Sequence, residues 1–427
     1  MAVKCAALLL AISSVSSAQE MKEILNRLDR LEQQNRELLE EVRQLRQQIA
    51  PPAAVAAPAS EQLQVQEQRV AELEQTKVGA DQKFPVSLTG TVLFNAFLNG
   101  RKSDGQMNPV VAGETAGSAG AGASLRQTVL GFHFNGPDLP GGGKASGSLF
   151  FDSYGGNGTS LNQLLRLRVA TLDLAWKNTT VSFGQDKPII APREPDSLAQ
   201  VGVSPLTGAG NLWLWQPQFR VEQRVPFGEH AGLRAQVGVY ETNESYDGVA
   251  GSPRPGIEGR FEVWAQSGDR RIEIAPGFHT SQSHVLGQSV PSRIFTVDWL
   301  LRPLSRVDFT GEFFNGENVG VVGGLRQGIS DVNYRVRPVH ATGGWAQLAF
   351  HITPRMTFNF YSGQEDDRNI DLSFGSIAKN QEYAGNIMYH LAPNVIASFE
   401  YSQLRTTYLG GGTALNPHYD LALAYLF

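Results

Sequence analysis

The spacing of apolar residues changes once along this chain, and the change divides it. Between Met21 and Ala50 the apolar positions are Met21, Ile24, Leu28, Leu31, Leu38, Val42, Leu45 and Ile49, alternately three and four apart, with Asn35 in the polar slot. That is the a/d seam of a coiled coil sustained over four heptads. Arg27 faces Glu32, and Glu41 faces Arg46, in the g-to-e′ geometry of parallel helices. An asparagine in the seam selects register and oligomer state, or is a tolerated polar core residue; the pattern leaves both open. The heptads alone do not separate a dimer from a trimer. From Phe84 onward the period is two. Val86, Leu88, Val92, Phe94, Ala96 and Leu98 alternate with Ser87, Thr89, Thr91 and Asn95, and at the far end Tyr419, Leu421, Leu423, Tyr425 and Phe427 form an unbroken every-other-residue row. Period two with aromatics predicts half-buried strands.

After the opening strand, the alternation predicts strands near 124–134, 144–152, 165–176, 179–185 and 217–225. Five more fall near 231–241, 258–266, 270–279, 292–302 and 305–314, and the last five near 341–352, 355–362, 381–391, 394–405 and 418–427. The total is sixteen, the even number that single-chain bacterial barrels carry. Tight turns at 177–178, 226–230, 267–269, 303–304, 353–354 and 392–393 alternate with long Gly-, Asn- and Asp-rich links at 99–123, 153–164, 186–216, 242–257, 315–340 and 363–380. The link 135–143 is the one long member of the short set. One blunt end and one loop-bearing end describe a sixteen-stranded antiparallel transmembrane β-barrel better than a sandwich or propeller. Its closing strand would pair with Val86–Leu98 and carry an assembly signal, Tyr425 and Phe427, for barrel-assembly machinery. The heptads would then stand in the periplasm, at the blunt end.

Strand parity sorts side chains between lipid and lumen. With Phe295, Val297, Trp299, Leu301, Val307, Phe309 and Phe313 outward, the inward set is Arg220, Glu222, Arg234, Arg260, Glu262, Arg271, Glu273, Asp298, Arg306, Asp308 and Glu312. Facing lipid, each Arg or Lys at mid-depth would cost about 2–4 kcal/mol. So many charges imply a watered lumen, a pore, with Arg220, Arg234, Arg260, Arg271 and Arg306 as one basic wall interleaved with carboxylates. Arg166 and Arg168 share parity with Leu172, Leu174 and Trp176, which predicts a bulge near 169–171 or a rim or interface position. The thirty-residue link from Asp186 to Leu214, with Lys187, Arg193, Glu194 and Asp196, either folds into the lumen as a constriction or packs over the barrel top.

Composition adds boundaries. Within 427 residues there is no apolar run of about 18, so no helical span. The formal charge of −5 gives no nucleic-acid footprint. Residues 1–18, with Lys4, an apolar run from Ala6 to Ile12 and Ser16-Ser17-Ala18, read as a secretory signal. The single cysteine, Cys5, lies inside it, so the exported chain is expected to have no disulfide and no Cys-based metal site. The expected divisions are a signal at 1–18, a coiled-coil oligomerisation segment at 19–50, an Ala/Pro-rich linker and short helix at 51–83, and the barrel at 84–427.

The plan resembles the DcaP-like outer-membrane porins and, more distantly, the phosphate-selective OprP/OprO porins. It rests on the heptad segment, the Pro/Ala link and the aromatic-ended barrel, and on local runs: Phe183-Gly184-Gln185-Asp186, Gln216-Pro217-Gln218-Phe219-Arg220, Gly344-Trp345-Ala346-Gln347-Leu348 and Glu400-Tyr401-Ser402. The resemblance implies a homotrimer in the outer membrane, among lipid and lipopolysaccharide, passing small anions such as dicarboxylates. After Asp186 this chain departs from that family, with Lys187-Pro188-Ile189-Ile190. Two other classes compete. One is a structural anchor tethered to the cell wall through the coiled coil. The other is a barrel hydrolase, which needs a Ser–His pair, and neither G-x-S-x-G nor H-E-x-x-H occurs. No cofactor or metal is expected, and no catalytic residue is assigned.

Overall fold

The computed structural model describes residues 86–427, apart from 157–162, 242–248, 252–253, 326 and 333–334, together with Gln33, which is helical. The chain divides at Lys83/Phe84 into two units. The expected signal, heptads and linker lie, Gln33 aside, outside the described residues.

A separate two-stranded hairpin pairs Ile329–Val332 with Arg335–Pro338, and the wall of the second unit is one closed antiparallel sheet of sixteen staves, two of them interrupted. We number them β1 (Val86–Asn99), β2 (Gly120–Ser124 and Val129–Leu139), β3 (Gly143–Gly155), β4 (Leu164–Ala175), β5 (Thr179–Asp186), β6 (Gln216–Pro226), β7 (Ala231–Tyr240) and β8 (Val249–Gly251 and Gly256–Ser267). Then follow β9 (Arg270–Val285), β10 (Gln288–Leu304), β11 (Val307–Glu317), β12 (His340–Thr353), β13 (Met356–Asp367), β14 (Ile377–Ala392), β15 (Val395–Tyr408) and β16 (Thr413–Leu426). The sheet closes where β1 meets β16, from Thr91 opposite Leu426 to Asn99 opposite His418. Closure leaves no free edge strand along the hoop.

Three departures from the sequence pattern have physical causes. The second stave runs on to Leu139 and turns at 140–142, where Gly141 and Gly142 both have φ near +77°, so the expected long link at 135–143 is a tight turn. Residues 125–128 interrupt that stave and direct Arg126 and Gln127 into the interior, with Thr128 Oγ1 accepting from Leu93 N at 3.1 Å. Residues 280–291, polar enough to read as loop, instead extend β9 and β10 into a long hairpin. Its two-residue turn, Leu286-Gly287, has φ of 50° and 74°, the primed-turn geometry that matches strand twist.

Alternation places Leu88, Phe94, Phe261, Ile274, Phe295, Phe360 and Leu421 on the outer face, all more than 40 % exposed. An apolar surface this continuous far exceeds what a water-soluble monomer leaves bare, and it suits a hydrocarbon environment. Inside, by contrast, the barrel holds both polar side chains and an apolar cluster. Ile190, Leu212, Val319, Val321 and Val322 from two loops pack on inward-facing Ile294, Phe314 and Ala341.

Candidate functional site: the charged interior and its inserted segment

The segment between β5 and β6 lies within the barrel and is held by side chains from most of the wall. Ile189 N donates to Glu258 on β8 at 2.6 Å, and Thr296 on β10 reaches Ile190 O at 3.4 Å. Asp196 and Gln347 on β12 exchange two hydrogen bonds of 2.7 Å. Asn386 on β14 donates to Asp196 O, Ser197 donates to Glu400 on β15 at 2.6 Å, and Asn95 on β1 donates to Leu198 O at 2.8 Å. Gln127 finishes the circuit by donating to Ala199 O at 2.7 Å and accepting from Gly202 N at the same distance. At its far turn the segment touches wall backbone directly. Gly210 has φ +103°, and a β-carbon there would come within 2.2 Å of Gly344 O, while one on Gly363 would come within 2.2 Å of Ala209 O. Only glycine permits that approach.

Most of the charged residues singled out in sequence converge on this segment. Arg193 bonds Asp298 at 2.8 Å, forms an ion pair with Glu273, and lies 3.7 Å from Glu262. Arg260, fully buried, grips Asp298 bidentately at 2.7 and 2.8 Å and holds Glu262 at 2.7 Å. Arg234 pairs with Glu262, and Arg271 with Glu273. Four arginines and three carboxylates thus form one network that clamps the segment against β8–β10. Arg220 pairs with Asp186 at 2.9 Å, and Glu222 accepts from Arg224 and Gln236. Asp308 binds Arg302 and His351, while Glu312 is buried without a hydrogen-bond partner among the described residues. Arg306 departs from the expected wall. It lies exposed in the turn between β10 and β11, because pairing resumes only at Leu304 opposite Val307.

Lys187 and Glu194 pair within the segment. Burial pushes the Glu194 carboxyl up, but the Lys187 ammonium and its hydrogen bond outweigh this and hold it below the usual carboxylate range.

The two arginines that resisted parity form a cluster of their own. β4 bulges at Arg168, since Phe150 and Phe151 oppose Val169 and Leu167, one residue before the expected place. Arg166 and Arg168 share the buried Asp152, at 2.6 and 3.6 Å, and stack over Trp215 at 4.9 and 4.8 Å. Arg166 and Arg126 also lie over Tyr154, at 5.1 and 4.6 Å. Sequence reasoning assigned no role to Arg126, Tyr154 or Trp215; the run of aromatics at Trp213 and Trp215 was the available signal.

An asymmetry of exposure marks three of these pairs. The side chain of Asp152 is 0 % exposed against 29 % for Arg166, Glu262 3 % against 26 % for Arg234, and Glu273 4 % against 49 % for Arg271. In these three pairs the carboxylate is the sealed partner and the guanidinium meets the water, whereas Arg260 is as buried as Glu262 and Asp298, and Arg220 and Asp186 are exposed alike.

Ser281, His279 and Glu258 line up with Oγ–Nε2 and Nδ1–Oε1 distances of 3.0 Å each. All three are buried, and Glu258 is occupied by Ile189 N, so the array anchors the segment and has no open face for a substrate.

No family model matches the chain, and no curated protein does. Solved structures do. The outer membrane channel DcaP of Acinetobacter baumannii superposes with a TM-score of 0.65 at 17 % identity, over 80 % of this chain and 97 % of that one. The fold is that of an outer-membrane channel. An anion-selective porin from Comamonas acidovorans gives 0.57 at 14 % identity, covering 80 % and 99 %. OprB of Pseudomonas putida gives 0.52 at 10 %, covering 84 % and 96 %.

Proposed function

We propose that the chain is an outer-membrane porin for passive diffusion of small hydrophilic solutes, with a preference for anions. The observation that carries this is the exposure asymmetry inside a closed barrel. Charge counts are nearly balanced, yet at Arg166, Arg234 and Arg271 a solute meets a guanidinium whose carboxylate partner is more deeply buried. A field from oriented, partly neutralised cations raises the local anion concentration without a tight trap. The inserted segment supplies the narrowing at which that field acts. The anion-selective porin with a similar fold supports this preference. No catalytic step is part of the proposal.

The heptads of residues 19–50 support an oligomer with its coiled coil in the periplasm, the resemblance to DcaP-like porins supports a homotrimer among the states they allow, and the C-terminal aromatics Tyr425 and Phe427 support delivery by barrel-assembly machinery into a lipopolysaccharide-bearing membrane. Single-channel recording in planar bilayers tests the function. The expected result is a stable ohmic conductance and a reversal potential, under a KCl gradient, displaced toward chloride. Absence of conductance overturns the porin reading, and displacement toward potassium overturns the anion preference. Deleting residues 19–50 should convert a trimer in native gels to monomer, and an unchanged trimer would remove the coiled coil from assembly.

A further inference from the structure

The outward face of the wall is not evenly clad. In its loop-side half, large exposed side chains stand at Phe295 on β10, Phe313 on β11, Tyr383 on β14 and Tyr401 on β15. Between Phe313 and Tyr383 the cladding stops. The outward residues there are Gly344 and Ala346 on β12 and Ser362 on β13, and the gap is a groove of about 350 Å³. Trp299 and Phe313 bank it on one side and Tyr383 on the other. Below it, exposed Leu348, Phe360 and Ile387 resume the apolar band. Above it, strand register sets out polar groups in order. Gln364 and Gln381 stand opposite each other at the upper edge and share a 2.9 Å hydrogen bond, and Arg405 on β15 stands opposite Gln381. One outward position higher, Lys379 pairs with Asp366 at 3.0 Å. Arg405 is exposed and has no ion pair among the described residues. An arginine on the outer face of a barrel is costly at mid-depth and tolerated at head-group level, so this rung marks the membrane surface. At the top of the same strip Phe374, 85 % exposed, lies against Gly410 in the turn between β15 and β16.

We propose that this strip seats one outer-leaflet glycolipid of the lipopolysaccharide type, with an acyl chain in the groove and a head-group phosphate on Arg405. The proposal rests on the outer-membrane reading and names a lipid and its seat for it. A chain lying over Gly344 and Ala346 restores a continuous apolar surface between Phe313 and Tyr383. The ester and amide carbonyls that head such chains meet the exposed amides of Gln364 and Gln381. The phosphate supplies the anion that Arg405 lacks, and Lys379 adds positive charge one position away. Further up, the ring face of Phe374 suits the C–H face of a sugar. Apolar groove, amide pair, guanidinium and exposed ring thus follow the order of chain, linkage, phosphate and sugar in one amphiphile. An anionic phospholipid matches the chain and the phosphate but brings no sugar to the upper end.

The test uses the full-length protein, delipidated in detergent and titrated with bisphosphorylated lipid A, its dephosphorylated form, or dipalmitoyl phosphatidylglycerol. Native mass spectrometry reads the lipid retained per protomer. The expected result is one lipid A per protomer, bound at about a tenfold lower concentration than phosphatidylglycerol. Losing a charge-assisted hydrogen bond is worth about tenfold in affinity. Arg405→Gln should therefore weaken lipid A by about that factor, while the native protein and Arg405→Gln bind the dephosphorylated lipid alike. Ala346→Trp, which fills the groove from the lipid side, should weaken lipid A about tenfold or more. Heat-shifted migration in gels confirms that each variant has folded. Phosphatidylglycerol binding as tightly as lipid A, or lipid A held by folded Arg405→Gln with native affinity, overturns the proposal. So does Ala346→Trp lowering the number of protomers per particle, which would make a second copy of the chain the occupant. The KCl conductance of the same preparation reports on the porin reading separately: current without retained lipid A overturns this proposal alone.

Discussion

Arg193 offers the sharpest test of how the interior is held. It is the only residue of the inserted segment in the β8–β10 charge network, and replacing it with alanine removes bonds to Asp298 and Glu273 and the nearby charge facing Glu262. Removing one member of a buried ion pair costs about 3–5 kcal/mol when the partner is left bare. Here the partners are not bare, because Arg260 still holds Asp298 and Glu262, and Arg271 still holds Glu273. The residual loss is therefore about 2–3 kcal/mol, set mainly by two charge-assisted hydrogen bonds in a site that is 14 % exposed. That is enough to release the stretch around Pro192 locally, but not the whole segment, which keeps its bonds to Gln347, Glu400, Asn95 and Gln127. Single-channel recording should show a larger and noisier conductance. The reversal potential should move toward cations, since carboxylates sealed by Arg193 become accessible. Arg193→Lys should fall between, because an ammonium keeps the charge without the planar fork. A quiet channel of native conductance and selectivity in Arg193→Ala would refute the clamp.

Three further outcomes follow from the same interior. Gly363→Val forces the segment's far turn off the wall, as a β-carbon would lie 2.2 Å from Ala209 O; the variant should lose about 1–3 kcal/mol and melt earlier in heat-shift gels, and an unchanged transition would contradict the contact. Glu312→Leu replaces a fully buried carboxyl beside Asp298 with an apolar side chain, so it should raise stability by about 1–2 kcal/mol, and a lowered denaturation temperature would show that the carboxyl is needed. Because Glu194 sits below its ordinary range through Lys187, the brace is present above the unfolded-chain value of about 4.3 and is lost only as pH falls through the lowered native value. Conductance should therefore be flat from pH 7 to about 4.5 on account of this pair, and Glu194→Gln should resemble the native channel at lower pH; an early change absent from that variant would assign the titration to Glu194 and reverse the sign.

The wall was legible because its signal is local. Alternation, tight turns and the sign of the outward row each depend on residues a few positions apart, so staves such as Thr179–Asp186 and Gln216–Pro226 lie within a residue of the pattern. Polar outer extensions such as Gln282 to Ser289 carry no lipid-facing alternation to mark them. The interior was less legible because its partners are remote in sequence. Nothing near Arg193 in the chain points to Asp298, 105 residues away. The expected basic wall on β6–β10 is instead a neutralised clamp, since parity reports which way a side chain faces and not what already holds it. Arg166 and Arg168 broke the parity rule through a one-residue bulge, and that local irregularity is where two arginines share the single carboxylate of Asp152.

The segment's path also fixes how the barrel's joint is secured. Between Ser197 and Gly202 it bonds Glu400 on β15, Asn95 on β1 and Gln127 in the break of β2, while Asn95 itself reaches Asp420 on β16 at 3.0 Å. These residues straddle the seam where the first and last staves meet. A strand pair at such a joint is the natural place for a cylinder to begin unzipping, and here it is bolted from within by a strap rooted on β5 and β6. The element that narrows the passage is thus also a latch on the hoop. Opening the seam would have to break the strap's bonds as well, so the obstruction adds to the stability of the joint.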